Sequence, residues 1–223
     1  MPNPKGLPLS ESIRFGWNTI KSSFAFILLT LCVAAIVPSI IDWGGKHVFH
    51  HDGQIFLIKV ISTLVSATFS LGLFKIYLRF RDGEKPIFEN LFDGLARAHI
   101  WFASTFIVTI AVVMGLILLI VPGIIMMLRL SLIGFVLVDE RTGPIDAIQR
   151  SWDMTRGHTM DLLVLFIALL GLNILGLCCL FVGLFVTIPM SGLAMAYIYR
   201  ELKPKTVVAP AMAPVGSTVA PAV

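Results

Sequence analysis

The sequence predicts an all-α integral membrane protein with six transmembrane helices arranged as three hairpins. Three observations support this fold class. Of the 223 residues, 57% are hydrophobic and only 13% are charged, whereas ordinary soluble domains carry about 25% charged residues. Six apolar segments are long enough, or nearly long enough, to cross a bilayer, which takes about 20 helical residues. The cations also lie almost entirely on alternate connections between these segments.

The six apolar segments lie at 23–41, 55–78, 100–121, 123–138, 160–178 and 180–199. Only "IVPGI" separates the third from the fourth, and Pro122 and Gly123 in it can break a helix and reverse the chain. The uncharged "GLCCLFVG" separates the last two. Because a single helix across either join would be nearly twice as long as a bilayer is thick, we expect tight hairpins there.

The distribution of lysine and arginine predicts the orientation. With a cytoplasmic N-terminus, thirteen of these residues fall in inner segments and only Lys46 falls in an outer loop. Three more, Lys59, Lys75 and Arg129, fall within spans. Cytoplasmic loops carry the excess of positive charge in membrane proteins, so both termini are predicted to be cytoplasmic.

A polar segment precedes each hairpin, and the three segments resemble one another. "SIRFGWNTIKSS" (12–23) aligns with "AIQRSWDMTRGH" (147–158), which pairs Gly16 with Ser151 and Trp17 with Trp152. "NLFDGLARAHIW" (90–101) is a weaker copy with Gly94 in the place of Gly16. We therefore predict one membrane domain, 1–202, built from repeat units at about 9–80, 86–140 and 144–202.

Each polar segment has helical periodicity, with apolar residues on one side and charges on the other. Such a helix can lie at the membrane surface with its apolar side down, so each hairpin is predicted to follow a cytoplasmic amphipathic helix. These helices either only anchor and pack, or they also contact lipid headgroups or a partner through residues such as Arg150 and Arg156.

The chain resembles the YciC-like family of uncharacterised bacterial membrane proteins. It is also similar to the membrane domain attached to some bacterial glycerophosphoryl diester phosphodiesterases. The matching elements are Pro122–Ile124, the acidic pair Asp139 and Glu140, Ala147–Trp152 with Thr155–Gly157, and Tyr199–Leu202. The resemblance implies a six-span protein of the bacterial plasma (inner) membrane without an assigned activity. The phosphodiesterase catalytic domain is a separate soluble barrel, so its activity is not carried over.

Two cations within the spans are candidates for contact with an anion or a lipid headgroup. Intramembrane arginine is costly and often functional, and Arg129 lies about seven residues past Pro122. Its side chain either snorkels toward the outer surface or makes a structural bond, for which Asn173 is a candidate, or it binds an anionic group. Lys59 has the same interpretations: it either snorkels or makes a structural bond, or it binds an anionic group.

No residue pattern predicts catalysis, a cofactor or a metal centre. The outer loop "DWGGKHVFHHDG" holds His47, His50 and His51, which could bind Zn²⁺, but H-x-x-H-H-D is not a recognised ligand spacing. The cysteines lie in apolar runs without metal-type spacing. The Pro/Ala/Val-rich tail, 203–223, is predicted to be a disordered cytoplasmic extension.

Two functions fit this pattern. The first is a non-enzymatic membrane protein with a structural, scaffolding or envelope and lipid-related role. Its partners would be membrane lipids, other membrane proteins or further copies of itself, and not nucleic acid, since the cations are dispersed. The second is a small-molecule or lipid transporter or channel that uses Arg129 and Lys59, because internal repeats and intramembrane cations are common in transporters.

Overall fold

All regular structure in the described part of the chain is helical. The computed structural model describes residues 6–48, 52–178 and 183–203. Its α-helices are α1 (Leu9–Val48), α2 (Asp52–Arg81), α3 (Ala98–Leu118), α4 (Ile120–Leu130), α5 (Ile133–Asp139), α6 (Pro144–Thr155), α7 (Thr159–Cys178) and α8 (Leu184–Leu202).

Five segments of the described residues are long and apolar enough to cross a membrane. They are Leu9–Gly45, Phe56–Arg81, Ala98–Leu118, Ile120–Asp139 and Thr159–Cys178. The prediction of several apolar transmembrane helices is therefore confirmed for these five. The sixth predicted span corresponds to α8, which has 19 residues and ends in the polar Tyr199, Arg200 and Glu201.

In the first unit, the polar segment and the apolar run form two helices that meet at a kink. Helix α1 covers 40 residues in all, and the kink lies at Ser23, whose φ and ψ of −133° and 31° are not helical. The kink therefore lies where the predicted polar segment, 12–23, meets the predicted span, 23–41.

The second unit departs furthest from the predicted helices. Where an amphipathic helix was expected, two short 3₁₀ turns occur, Phe88–Leu91 and Leu95–Arg97. The predicted fourth span, 123–138, is divided at Ser131 and Leu132 into α4 and α5. The Ser131 hydroxyl donates to the Leu128 carbonyl at 2.7 Å, which closes the last turn of α4 locally.

The junction between α3 and α4 is a single extended residue, Leu119, with φ and ψ of −162° and 136°. Pro122 therefore lies in the first turn of α4, where its missing N–H costs little. Gly123 packs against Leu116, since a Cβ on Gly123 would lie 2.6 Å from the Leu116 Cγ. The reversal thus occurs three residues before Pro122, and Gly123 serves the close packing of the two helices.

Helices α2, α5 and α8 form the centre of the core. The Phe135 ring lies 4.8 Å from the Phe74 ring and 5.7 Å from the Tyr199 ring, and both Phe135 and Tyr199 are buried. The first helix packs along the last, because α1 makes extensive contact with α8. The first and last of these helices therefore stabilise one another.

Candidate functional site

Arg129 is the contact point between the broken fourth segment and the amphipathic helix α6. Its backbone carbonyl accepts hydrogen bonds from the Ser151 hydroxyl at 2.7 Å and the Thr155 hydroxyl at 3.3 Å. Its guanidinium carbon lies 4.4 Å from the centre of the Trp152 ring. Because Ser151 and Thr155 are buried, this arrangement fixes α6 against the end of α4.

The predicted bond between Arg129 and Asn173 is wrong. The Asn173 amide donates to the Leu169 carbonyl at 2.8 Å and to the Ser191 hydroxyl at 3.0 Å. Arg129 instead places its charge on an aromatic face, an attraction worth about 0.5–2 kcal/mol depending on desolvation. Sequence reasoning missed Trp152 as the partner because 23 residues and a turn separate the two along the chain.

The other predicted anion contacts lie apart from Arg129. Lys59 lies 3.9 Å from an Asp42 carboxylate oxygen, across the α1–α2 pair. The Arg150 guanidinium donates to Glu140 at 3.0 Å and so ties α6 to the end of α5. Arg156 is exposed directly after α6. The four cations are therefore not brought together into one site.

The aligned tryptophans have different environments. Trp17 is 44% exposed and carries the Lys21 ammonium 4.8 Å above its ring, whereas Trp152 is half-buried under Arg129. Of the predicted metal ligands, His50, His51 and the His47 side chain lie outside the described residues. The residues that are described contain no group of three or more potential metal ligands.

A network of charged side chains joins the ends of α2, α5 and α8. Asp139 accepts hydrogen bonds from the Tyr199 hydroxyl and the Arg200 guanidinium, both at 2.8 Å, and from Lys203. Arg200 also donates to Asp82 at 2.9 Å. The sequence contains both partners as motifs, the acidic pair after the fourth span and Tyr-Arg-Glu-Leu near the end, but it does not show that they meet.

A cationic cavity of about 230 Å³ opens between α2, the second 3₁₀ turn and the end of α5. Its lining consists of Leu71, Lys75, Asp93, Gly94, Arg97, Val138 and Arg141. Sequence reasoning placed Lys75 inside a span and took the two arginines for ordinary border cations. Their convergence depends on the break in the fourth segment and on the 3₁₀ turns, neither of which was predicted.

Within this cavity, Lys75 is paired with Asp93. Burial by itself would raise the pKa of Asp93, but the hydrogen bond and charge of Lys75, with help from Asn90 and Arg79, hold it below its usual value. Asp93 is therefore ionised at neutral pH and neutralises Lys75. Among the described residues, the other two cations of the lining, Arg97 and Arg141, have no carboxylate partner.

The comparison with known families gives a match over a little less than half of the chain, 105 of its 223 residues. Residues 102–206 match the family described as "Protein of unknown function (DUF975)". No curated protein and no solved structure matches significantly. The match and the apolar helices together indicate a multi-pass membrane protein similar to an uncharacterised family. The likenesses to the YciC-like family and to the phosphodiesterase membrane domain stay predictions.

Proposed function

We propose that the chain is a non-enzymatic multi-pass protein of a bacterial inner membrane, with a structural, scaffolding or lipid-related role. In this proposal six spans form three repeated hairpins, and both termini are cytoplasmic. The observation that carries it is a contact that occurs three times: the polar segment of each unit packs on a backbone carbonyl of the second long segment of another unit.

The three carbonyls are those of Thr68, Arg129 and Met190, each separated from the next by 61 residues. The three residues that approach them are Gly94, Ser151 and Gly16, which occupy one column of the sequence alignment. A Cβ on Gly94 would lie 2.4 Å from the Thr68 oxygen, and one on Gly16 would lie 2.9 Å from the Met190 oxygen. Ser151 donates its hydroxyl to the Arg129 oxygen at 2.7 Å.

The residues that follow the three carbonyls support the same register. Three positions after each carbonyl a leucine is buried, with exposed fractions of 2%, 0% and 0% at Leu71, Leu132 and Leu193. Eight positions after each carbonyl the apolar residues Ile76, Leu137 and Ile198 are buried as well. Equal spacing, equal burial and an equivalent packing partner are expected of repeated units.

The order of packing also favours a closed scaffold. The polar segment of the second unit packs on α2, α6 of the third unit packs on α4 and α5, and the start of α1 packs on α8. The last contact connects the third unit to the first. The three units therefore form a closed ring, in which the polar segment of one unit covers the second long segment of another.

The cations suggested for transport are used in separate structural contacts. Lys59 lies against Asp42, and Arg129 lies against Trp152. A transport pathway would need charged groups along one route, which gives the scaffolding role better support than the transporter role.

Cysteine-accessibility mapping tests the topology. Single cysteines would replace Lys46, Arg150 and Lys205 in a chain whose three native cysteines are changed to alanine. An impermeant maleimide added to whole spheroplasts is expected to label Lys46→Cys, and to label Arg150→Cys and Lys205→Cys only after permeabilisation. Labelling of Lys205→Cys from outside, while Arg150→Cys stays protected, would mean an odd number of spans between the two positions and would refute the six-span arrangement.

Replacement of Arg129 by methionine tests the role. A structural Arg129 predicts lower thermal stability with an unchanged set of co-purified lipids at temperatures where the variant is folded. Loss of a bound lipid or of a solute flux in the folded Arg129→Met variant, with no change in the control Arg14→Gln, would favour the transporter function instead.

A further inference from the structure

The cationic cavity contains two arginines without a carboxylate partner among the described residues. Lys75 is already paired with Asp93, and the Asn90 amide also donates to Asp93 at 3.3 Å. Arg97 is half-buried and Arg141 is exposed at the rim. The cavity therefore has two positive charges in excess, and its single carboxylate is occupied.

Arg97 stands at a position that is unfavourable for a cation. It is the N-cap of α3, where a cation is opposed by the positive end of the helix dipole. Arg141 has a φ of +53° and directly follows Glu140, the C-cap of α5, so its left-handed backbone ends that helix. The stability of its own segment therefore does not explain the cation at position 97.

We propose that this cavity binds a phosphate group, carried by an anionic lipid headgroup or by a soluble phosphate monoester. Arginine is the side chain best suited to this task, because its planar guanidinium donates two parallel hydrogen bonds to phosphate oxygens. The volume of about 230 Å³ equals that of roughly eight water molecules at about 30 Å³ each. It has room for a phosphate group and part of the group attached to it.

Apolar side chains next to the cavity fit a lipid as the carrier. Leu95 and Phe92 flank Gly94 on the same segment and are 70% and 50% exposed. The Phe92 ring also packs edge-on against Phe69 at 5.7 Å, which holds it in place. Acyl chains could lie on this surface while the phosphate occupies the cavity. These contacts are the same whatever the number of spans, so the site is independent of the proposed topology.

Native mass spectrometry of the whole chain in detergent tests the site with three probes: short-chain phosphatidic acid, inorganic phosphate and short-chain phosphatidylcholine. The double variant Arg97→Gln and Arg141→Asn removes both charges, and asparagine tolerates the positive φ at 141. We expect phosphatidic acid to bind the unaltered chain and the double variant to bind it at least tenfold more weakly, since charge-assisted bonds are the strongest hydrogen bonds.

Arg14→Gln is the matched control, because it removes an exposed cation from another segment. Asp93→Asn gives a change of opposite sign, since it removes the only carboxylate among the described lining residues and frees Lys75, so phosphatidic acid should bind several-fold more tightly. Equal binding by the unaltered chain and the double variant would overturn the proposal. So would an equal loss in Arg14→Gln, or binding of phosphatidylcholine as tight as that of phosphatidic acid.

Inorganic phosphate identifies the carrier. If the lipid supplies the phosphate, inorganic phosphate should compete only at much higher concentration than short-chain phosphatidic acid. If a soluble monoester is the natural ligand, the two should bind comparably, and both should lose affinity in the double variant. Failure of both probes to bind the unaltered chain would refute the site without bearing on the six-span topology.

Discussion

Replacement of Gly94 by alanine is the sharpest test of the contact on which the proposed repeat units rest. The backbone of Gly94 has φ and ψ of −73° and −14°, which alanine adopts freely, so the substitution adds no backbone strain. The only cost is the space that a Cβ needs. That atom would lie 2.4 Å from the Thr68 oxygen and 2.8 Å from the Leu71 Cβ.

The geometry sets the size of the effect. Carbon and oxygen atoms in close contact lie about 3.3 Å apart, so the Gly94 segment must move away from α2 by roughly 1 Å. Overpacking of this kind costs about 1–3 kcal/mol. For a chain of this size, each kcal/mol lowers the midpoint of thermal unfolding by about 2–4 °C, so we expect a decrease of roughly 2–12 °C.

Gly171→Ala is the matched control, because Gly171 lies in α7 and a Cβ there would meet nothing within 4 Å. Both substitutions restrict the unfolded chain equally, a gain of about 0.4–1 kcal/mol, so their difference isolates the packing cost. The assay is loss of monodisperse protein on size-exclusion chromatography after heating in one detergent. If Gly94→Ala is as stable as Gly171→Ala, the proposed contact does not hold the second unit in place.

Two further experiments test the contacts of α5 and α6. Asp139→Asn should lower the free energy of unfolding by more than about 2 kcal/mol, since removal of one partner of a largely buried ion pair costs about 3–5 kcal/mol. Glu84→Gln, whose exposed carboxylate lies 3.7 Å from Arg79, should cost less than about 1 kcal/mol, and equal losses in an SDS-unfolding titration would contradict the central role of Asp139. A double-mutant cycle of Arg129→Met and Trp152→Leu should give a coupling energy of about 0.5–2 kcal/mol, and additive effects would show that the ring contact contributes nothing.

Much of the architecture follows from local sequence. Apolar runs long enough for a bilayer identify the five confirmed segments, because a helix in lipid must satisfy its backbone internally and expose apolar side chains. The alignment of Gly16, Gly94 and Ser151 also selected three residues that make equivalent contacts. Such positions are visible in sequence because close backbone approach admits only small side chains.

The breaks within the units were not predictable from periodicity. The 3₁₀ turns around Gly94 lie where their segment packs against α2, and the division of the fourth segment at Ser131 lies where a neighbouring segment supplies a hydrogen bond. The Ser151 hydroxyl, 22 residues away along the chain, donates a hydrogen bond to the Arg129 carbonyl. A pattern read along one segment contains no information about such a partner.

The sequence by itself determined the membrane class, the approximate apolar segments and the small residues at the repeated contact, since composition and spacing are properties of the chain alone. Tertiary structure decided that Arg129 contacts the Trp152 ring and that Asp139 accepts hydrogen bonds from Tyr199 and Arg200. It also decided that Arg97 and Arg141 line one cavity. Each of these depends on the distance between side chains from separate segments, which is set by how the helices pack and where they break.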